Sequence, residues 1–242
     1  MSFSMFSKAA LVGAALVTAQ SVSAATFDFI SMADNAADAN YIGSVELNWQ
    51  QTAFAAGLTI DGVTLKASGS NANGGFADAF FDKGKAGLGV CSTPNVASGK
   101  SGCATGAGAG SNTADDNVSA TQGGETLTLD FGQAVTVSQI IFTGEGHKWF
   151  QGSVKINGVT YDMGTYGTNV GPNSTGGYTT FAEALTGSVF NFEYIPVAGT
   201  STVNQFYIGA ATVAPVPVPA AGLLLLTALG GLGMARRRRK AA

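Results

Sequence analysis

Three adjacent oxygen-bearing side chains, Asp115, Asp116 and Asn117, are the residues of this sequence best suited to chemistry. With backbone carbonyls completing the set, they can supply part of a calcium shell, which is built from oxygen ligands. Their spacing is not that of an EF-hand, whose ligands alternate along a loop that turns at a glycine. The same residue types also cap the amides of a turn, so both readings stand. His147, the only histidine, lies in the run Gly-Glu-Gly-His-Lys-Trp-Phe at 144–150. Catalysis would pair it with Glu145 and a serine nucleophile, but no nucleophile-elbow sequence accompanies it. The expectation is a loop histidine at the rim of a domain. Fifteen Asp and Glu allow many carboxylate pairs of the kind glycoside hydrolysis uses, but the fold sets their separations, and the default reading is a non-enzyme. Trp149 and Tyr166 fall in a loop context beside Asp, Asn and Gln, where exposed rings can stack on sugars. Tyr161, alternating with Val159 and Met163, reads as core.

The elements that must position these residues are strands. Helical periodicity is hard to find, while alternation recurs: Phe27 and Phe29 share one face, Val45, Leu47 and Trp49 another, Leu127, Leu129 and Phe131 a third, and Phe190, Phe192 and Tyr194 a fourth. Ile60-Asp61-Gly62-Val63 and Ile156-Asn157-Gly158-Val159 each set an Asp-Gly or Asn-Gly pair between short β-branched runs. That is the signal for a two-residue hairpin with positive φ at both turn positions. From Glu125 on, the pattern is dense: a strand to Phe131, a turn at Gly132 and Gln133, a strand from Val135 to Thr143, a loop through His147, and two short strands to Met163. A last strand, about 205–213, is expected to close an edge. The spacing predicts an all-β fold, an antiparallel β-sandwich of jelly-roll type. Residues 87–124 are expected to form a long strandless loop.

The charges and cysteines say where such a domain lives. Lys8 and five basic residues of the tail account for half of the twelve Lys and Arg, so residues 25–214 carry six lysines, no arginine and all fifteen acids, a formal charge of minus nine. No basic face and no guanidinium fork is available for phosphate, which argues against a nucleic-acid partner. An acidic surface suits solubility outside the cell and divalent cations. With no other thiol in the sequence, Cys91 and Cys103 are the expected disulfide of an exported chain, closing a thirteen-residue loop worth roughly 3 kcal/mol.

Both ends of the chain read as targeting segments. Lys8, an apolar stretch over 9–19 and the small residues 20–25 form a secretory signal, 1–24, cut by signal peptidase after Ala24. At the other end, 215–242, Val216, Pro217, Val218, Pro219 and Ala220 form an extended, donor-poor hinge. An apolar run over 221–235 follows, then the cationic stop Arg236, Arg237, Arg238, Arg239 and Lys240. The seventeen residues 219–235 span about 25 Å as a helix against a hydrocarbon core of about 30 Å, a minimal transmembrane helix that keeps its arginines in the cytoplasm. This order of proline motif, apolar helix and arginine cluster resembles the PEP-CTERM class of exported bacterial proteins, in the variant with the signature Val-Pro-Leu-Pro-Ala; Val218 stands where that variant has leucine. The resemblance implies an exosortase-type protease and transpeptidase as processing partner. It also implies a transient membrane anchor and transfer of the domain 25–214 to the cell surface or extracellular matrix. Gly-Leu-Gly-Val-Cys, a later Cys, Asp-Asp-Asn and Gly-Glu-Thr-Leu-Thr-Leu-Asp-Phe are similar to a pattern in ectodomains of the same class. That similarity supports exported surface proteins as a group and implies no established activity; the expected function is that of a structural or adhesive surface protein, with glycan binding in an exopolysaccharide matrix or biofilm as the alternative.

Overall fold

The computed structural model describes residues 23–43, 46–92, 116–119, 124–173, 176–195 and 205–217. Ser23–Val216 form one compact unit; the other, Met1–Val22 with Pro217–Ala242, lies outside the described residues except for Pro217. Among the described residues no helix is long and apolar enough to cross a membrane.

The domain is almost wholly antiparallel β-structure, with fourteen strands in the described residues. Its axis is β7, Glu125–Gly144, flanked by β13, Leu185–Ile195, and β14, Phe206–Pro215. The first half of β7 pairs with β13 and with β4, Val63–Asn71. Its second half pairs with β14 and with β12, Tyr178–Phe181. The two halves cannot be collinear. Phe192 is registered against Leu127, yet its ring meets Phe142 at 6.3 Å between centroids. Fifteen residues of straight strand would separate Leu127 from Phe142 by about 50 Å at about 3.3 Å per residue. The ribbon therefore bends, at Gly132 (φ 62) on β7 and at the register shift between Gly187 and Val189 on β13. The bend brings the inward alternation of both halves, Leu127, Leu129 and Phe131 with Ile140 and Phe142, onto one core. The turn expected at Gly132 and Gln133 is thus a corner within one strand.

The hairpins form as the turn chemistry demands. Asp61 and Gly62 join β3, Leu58–Ile60, to β4 with φ of 47° and 79°, while Asn157 and Gly158 join β9, Ser153–Ile156, to β10, Val159–Asp162, with 48° and 85°. Elsewhere local pattern and structure differ. β1, Ala25–Asp28, stops before Phe29, because the Asp28 carboxylate accepts from the Ser31 N–H at 2.9 Å and caps a short helix α1, Phe29–Asp34. Phe27 and Phe29 are both buried, but only Phe27 lies in a strand. β2 is only Leu47–Asn48; Trp49 opens a 3₁₀ turn and stacks on Phe81 at 5.8 Å, and Val45 lies outside the described residues. The strandless loop expected over 87–124 begins later: β5, Asp78–Asp82, is followed by a second buried strand, β6, Gly87–Cys91. β14 is no edge strand: it is paired by β7, β1 and β6.

Candidate functional site

A cleft of about 600 Å³ opens where β5, the β7–β8 turn and the start of β14 meet, and its walls are polar. β5 delivers Asp82 at the end of a fully buried strand. β14 delivers Tyr207, 3% exposed, from a stretch buried on both faces. Asp116 comes from a short segment lying directly on β6: a Cβ on Gly89 would stand 2.1 Å from the Asp116 carbonyl oxygen and 2.7 Å from Cα of Asn117. Only a glycine admits so close an approach. Two backbone hydrogen bonds between Val118 and Phe206, 2.8 and 3.2 Å, fix that segment to β14. His147 ends the turn before β8, Lys148–Trp149, in the left-handed region at φ 58°, and Glu145 and Lys148 flank it at the cleft.

Asp82 is the hub. The His147 ring places Nε2 3.1 Å from Asp82 Oδ2 and Nδ1 2.6 Å from the Gly84 carbonyl oxygen. A carbonyl accepts only, so Nδ1 carries a proton; donation to Asp82 needs a second on Nε2, which makes the ring an imidazolium. In keeping with this, the hydrogen bond to Asp82 pushes the His147 pKa above its ordinary value against the opposing effect of burial. The Tyr207 hydroxyl donates to Asp116 Oδ1 at 2.8 Å, and Asn117 Nδ2 approaches the same oxygen at 3.3 Å. Burial first, and then the neighbouring charge of Asp82, raises Asp116 to about 7. Burial followed by Asp116 pushes the Tyr207 phenol up as well, and burial followed by Asp82 raises Glu46. The cleft therefore combines a carboxyl poised to exchange its proton near neutrality with an ion pair and a phenol.

A second buried acid has a different task. Glu125, 1% exposed, accepts from the Ser92 hydroxyl with one carboxylate oxygen and from the Ser119 N–H (3.0 Å) and hydroxyl (2.9 Å) with the other. It thereby joins the residues on either side of 93–115 to the start of β7. Asp34 caps the β5–β6 turn, accepting from the N–H groups of Gly84 (3.0 Å) and Lys85 (2.6 Å).

Of the residues singled out in the sequence, Asp116 and His147 share the cleft. The partner of His147 is Asp82 in place of Glu145, and its ring is built into the domain by two hydrogen bonds. Asn117 is buried beside Asp116, Asp115 lies outside the described residues, and among the described residues no group of three or more His, Cys, Asp or Glu is arranged to hold a metal ion. Trp149 donates its indole N–H to the Val170 carbonyl at 3.1 Å. Tyr166, 46% exposed, meets Tyr161 edge-on at 5.5 Å, and Tyr161 in turn packs on Phe181. Trp149 and Tyr166 make no ring contact with each other among the described residues. Cys91 is disulfide-bonded; Cys103, the sequence's other cysteine, lies outside the described residues, as do Val218, Pro219, Ala220 and the basic cluster 236–240. Asp82, Glu46 and Tyr207 carry no motif. The one trace in the sequence is an acid closing an apolar strand, Asp-Ala-Phe-Phe-Asp, where a buried charge requires partners. Comparison with protein-family models, with curated proteins and with solved structures finds no match to this chain.

Proposed function

We propose that this chain is an exported structural or adhesive protein of the cell surface or extracellular matrix, a non-enzyme whose β-domain, a jelly-roll-like sandwich, is delivered by two processed ends. Signal peptidase removes 1–24. The hinge, transmembrane helix and arginine tail of 215–242 then hold the domain in the cytoplasmic membrane until an exosortase-type enzyme cuts near Pro219. The observation that carries the reading is the order of segments in the sequence: Lys8, an apolar stretch over 9–19 and small residues over 20–25 at one end, and a proline motif, an apolar run and five basic residues at the other. The end of β14 adds support, since Pro215 is still registered against Val135 and the Val216 N–H donates to the Ala134 carbonyl at 2.9 Å, so the proline hinge leaves the domain directly from a paired strand. The mass of the protein recovered from its native cells tests this. The expected product lacks both ends and retains the disulfide; an intact, reduced chain in the cytosol would refute it.

A second reading, glycan binding in an exopolysaccharide matrix, is favoured by the polar cleft. It moves the contact from the aromatics Trp149 and Tyr166 to hydrogen-bonding side chains.

A further inference from the structure

We propose that the cleft bounded by Asp82, Asp116, His147 and Tyr207 is a binding site for a neutral, hydroxyl-rich ligand, one or two sugar rings of a polysaccharide. This rests on the glycan-binding reading and assigns it a site.

Size comes first: about 600 Å³ falls within the roughly 300–1,000 Å³ of small-molecule sites. The walls are also fixed before any ligand arrives. The β5–β6 turn is held by Asp34 and by the His147 ring, the Asp116 segment is held to β14 by Val118, and the His147 carbonyl accepts from the Gly176 N–H at 2.8 Å. Little ordering remains to oppose binding.

The chemistry then selects the ligand class. Asp82, Asp116 and Glu145 are acceptors, Lys148 is a donor and the Gln205 amide is both, while the two ring nitrogens of His147 are engaged by Gly84 and Asp82. An anion would face three carboxyl groups. A hard cation would meet the His147 imidazolium and Lys148, with no three-ligand metal set among the described residues. A sugar hydroxyl both donates and accepts, so it can use both halves of this lining without bringing a charge of its own.

Asp116 makes the site responsive to protons. It is faced by Asp82 from β5, Glu46 from the residue before β2, His147 from the β7–β8 turn and Tyr207 from β14, and Lys83 of the β5–β6 turn acts on Glu46. Its Oδ1 already accepts from the Tyr207 hydroxyl and Asn117 Nδ2, which leaves Oδ2 for a ligand hydroxyl; protonation there replaces acceptor capacity with a donor. With proton exchange at about 7, the carboxylate fraction falls about tenfold between pH 8 and pH 6, which sets the upper limit on the fall in apparent affinity.

The test is calorimetric titration of the exported protein with cellobiose, maltose and lactose, with an oligogalacturonate as the anionic probe and calcium chloride as the cationic one. We expect a neutral disaccharide to bind, more weakly at pH 6 than at pH 8 by up to about tenfold. Asp116→Asn should abolish that pH dependence, and Gln205→Ala, at the mouth, should weaken binding several-fold without disturbing the buried pairs. Preference for the uronate or for calcium overturns the proposal. Neutral-sugar binding removed by Trp149→Ala or Tyr166→Ala but untouched by Gln205→Ala and Asp116→Asn overturns this site while sparing the glycan reading. Binding of none of the probes overturns both.

Discussion

The buried acid of the cleft sets a pH dependence of stability opposite to that of acid denaturation. Asp116 holds its proton up to about 7 in the fold and to 3.8 in the open chain. Its folded pKa is raised, so the associated stability is fully present below pH 3.8 and is lost as the pH climbs through about 7. A tenfold change in proton affinity corresponds to about 1.4 kcal/mol, so the loss by pH 8 is about 4 kcal/mol, a large share of a domain's net stability. The other displaced groups act in the same direction. His147 is raised by its bond to Asp82, and its contribution is present below 6.5 and lost above its folded value; Glu46 and Asp78 are raised by burial and follow Asp116.

Urea denaturation at pH 5, 6.5 and 8 measures this, followed by the fluorescence of Trp49, which is fully buried and stacked on Phe81. At pH 5 the open-chain carboxyl is already ionised, so about 2.6 kcal/mol of that loss falls between pH 5 and pH 8; with a urea dependence of about 2 kcal/mol per molar, the midpoint should fall by about 1.3 M over that range. Asp116→Asn keeps an oxygen for the Tyr207 hydroxyl and removes the titration. It should raise the midpoint modestly at pH 5 and by more at pH 8. A natural midpoint that is flat or rises with pH, or an Asp116→Asn profile parallel to it, refutes the reasoning.

Three further outcomes follow from the same contacts. Glu125→Gln should destabilise the domain by about 1.5–3 kcal/mol at every pH from 5 to 8, because a charge-assisted set of bonds to Ser92 and Ser119 is broken in the interior; the urea midpoint reports it. Gly89→Ala should cost about 1–3 kcal/mol by overpacking and, by lifting Asp116 out of its buried place, should flatten the pH slope as well. Calcium tests 115–117 as a ligand set: because Asp116 Oδ1 accepts from Tyr207, binding there would disturb that bond, and a melting temperature that rises with calcium and falls with a chelator would support the set, while one that is unchanged by both would count against it.

What could be read from the order of residues was whatever repeats over a short span. Alternation in Leu127–Phe131 and positive φ at Asp61-Gly62 and Asn157-Gly158 are decided by neighbours in sequence, and the all-β class follows from them. Phe29 was misplaced because an Asx cap three residues long outweighs a two-residue period at a strand end. The expected edge at β14 fails because nothing local tells an edge from an interior: its partner β1 lies 186 residues away at the Thr26–Thr212 contact, and the apolar run of β14 reads the same with one neighbour or two. The cleft is the extreme case. It gathers residues 82, 116, 147 and 207 from four segments, and each looks ordinary where it stands: an acid ending an apolar strand, a turn histidine, a tyrosine in a core run. Their chemistry appears only on assembly, when burial lifts the proton affinity of Asp116 and Asp82 does the same for His147. A lone buried carboxyl is costly and a lone histidine commonplace; held on one hydrogen-bonded hub, they become a site whose charge is set by the surrounding pH.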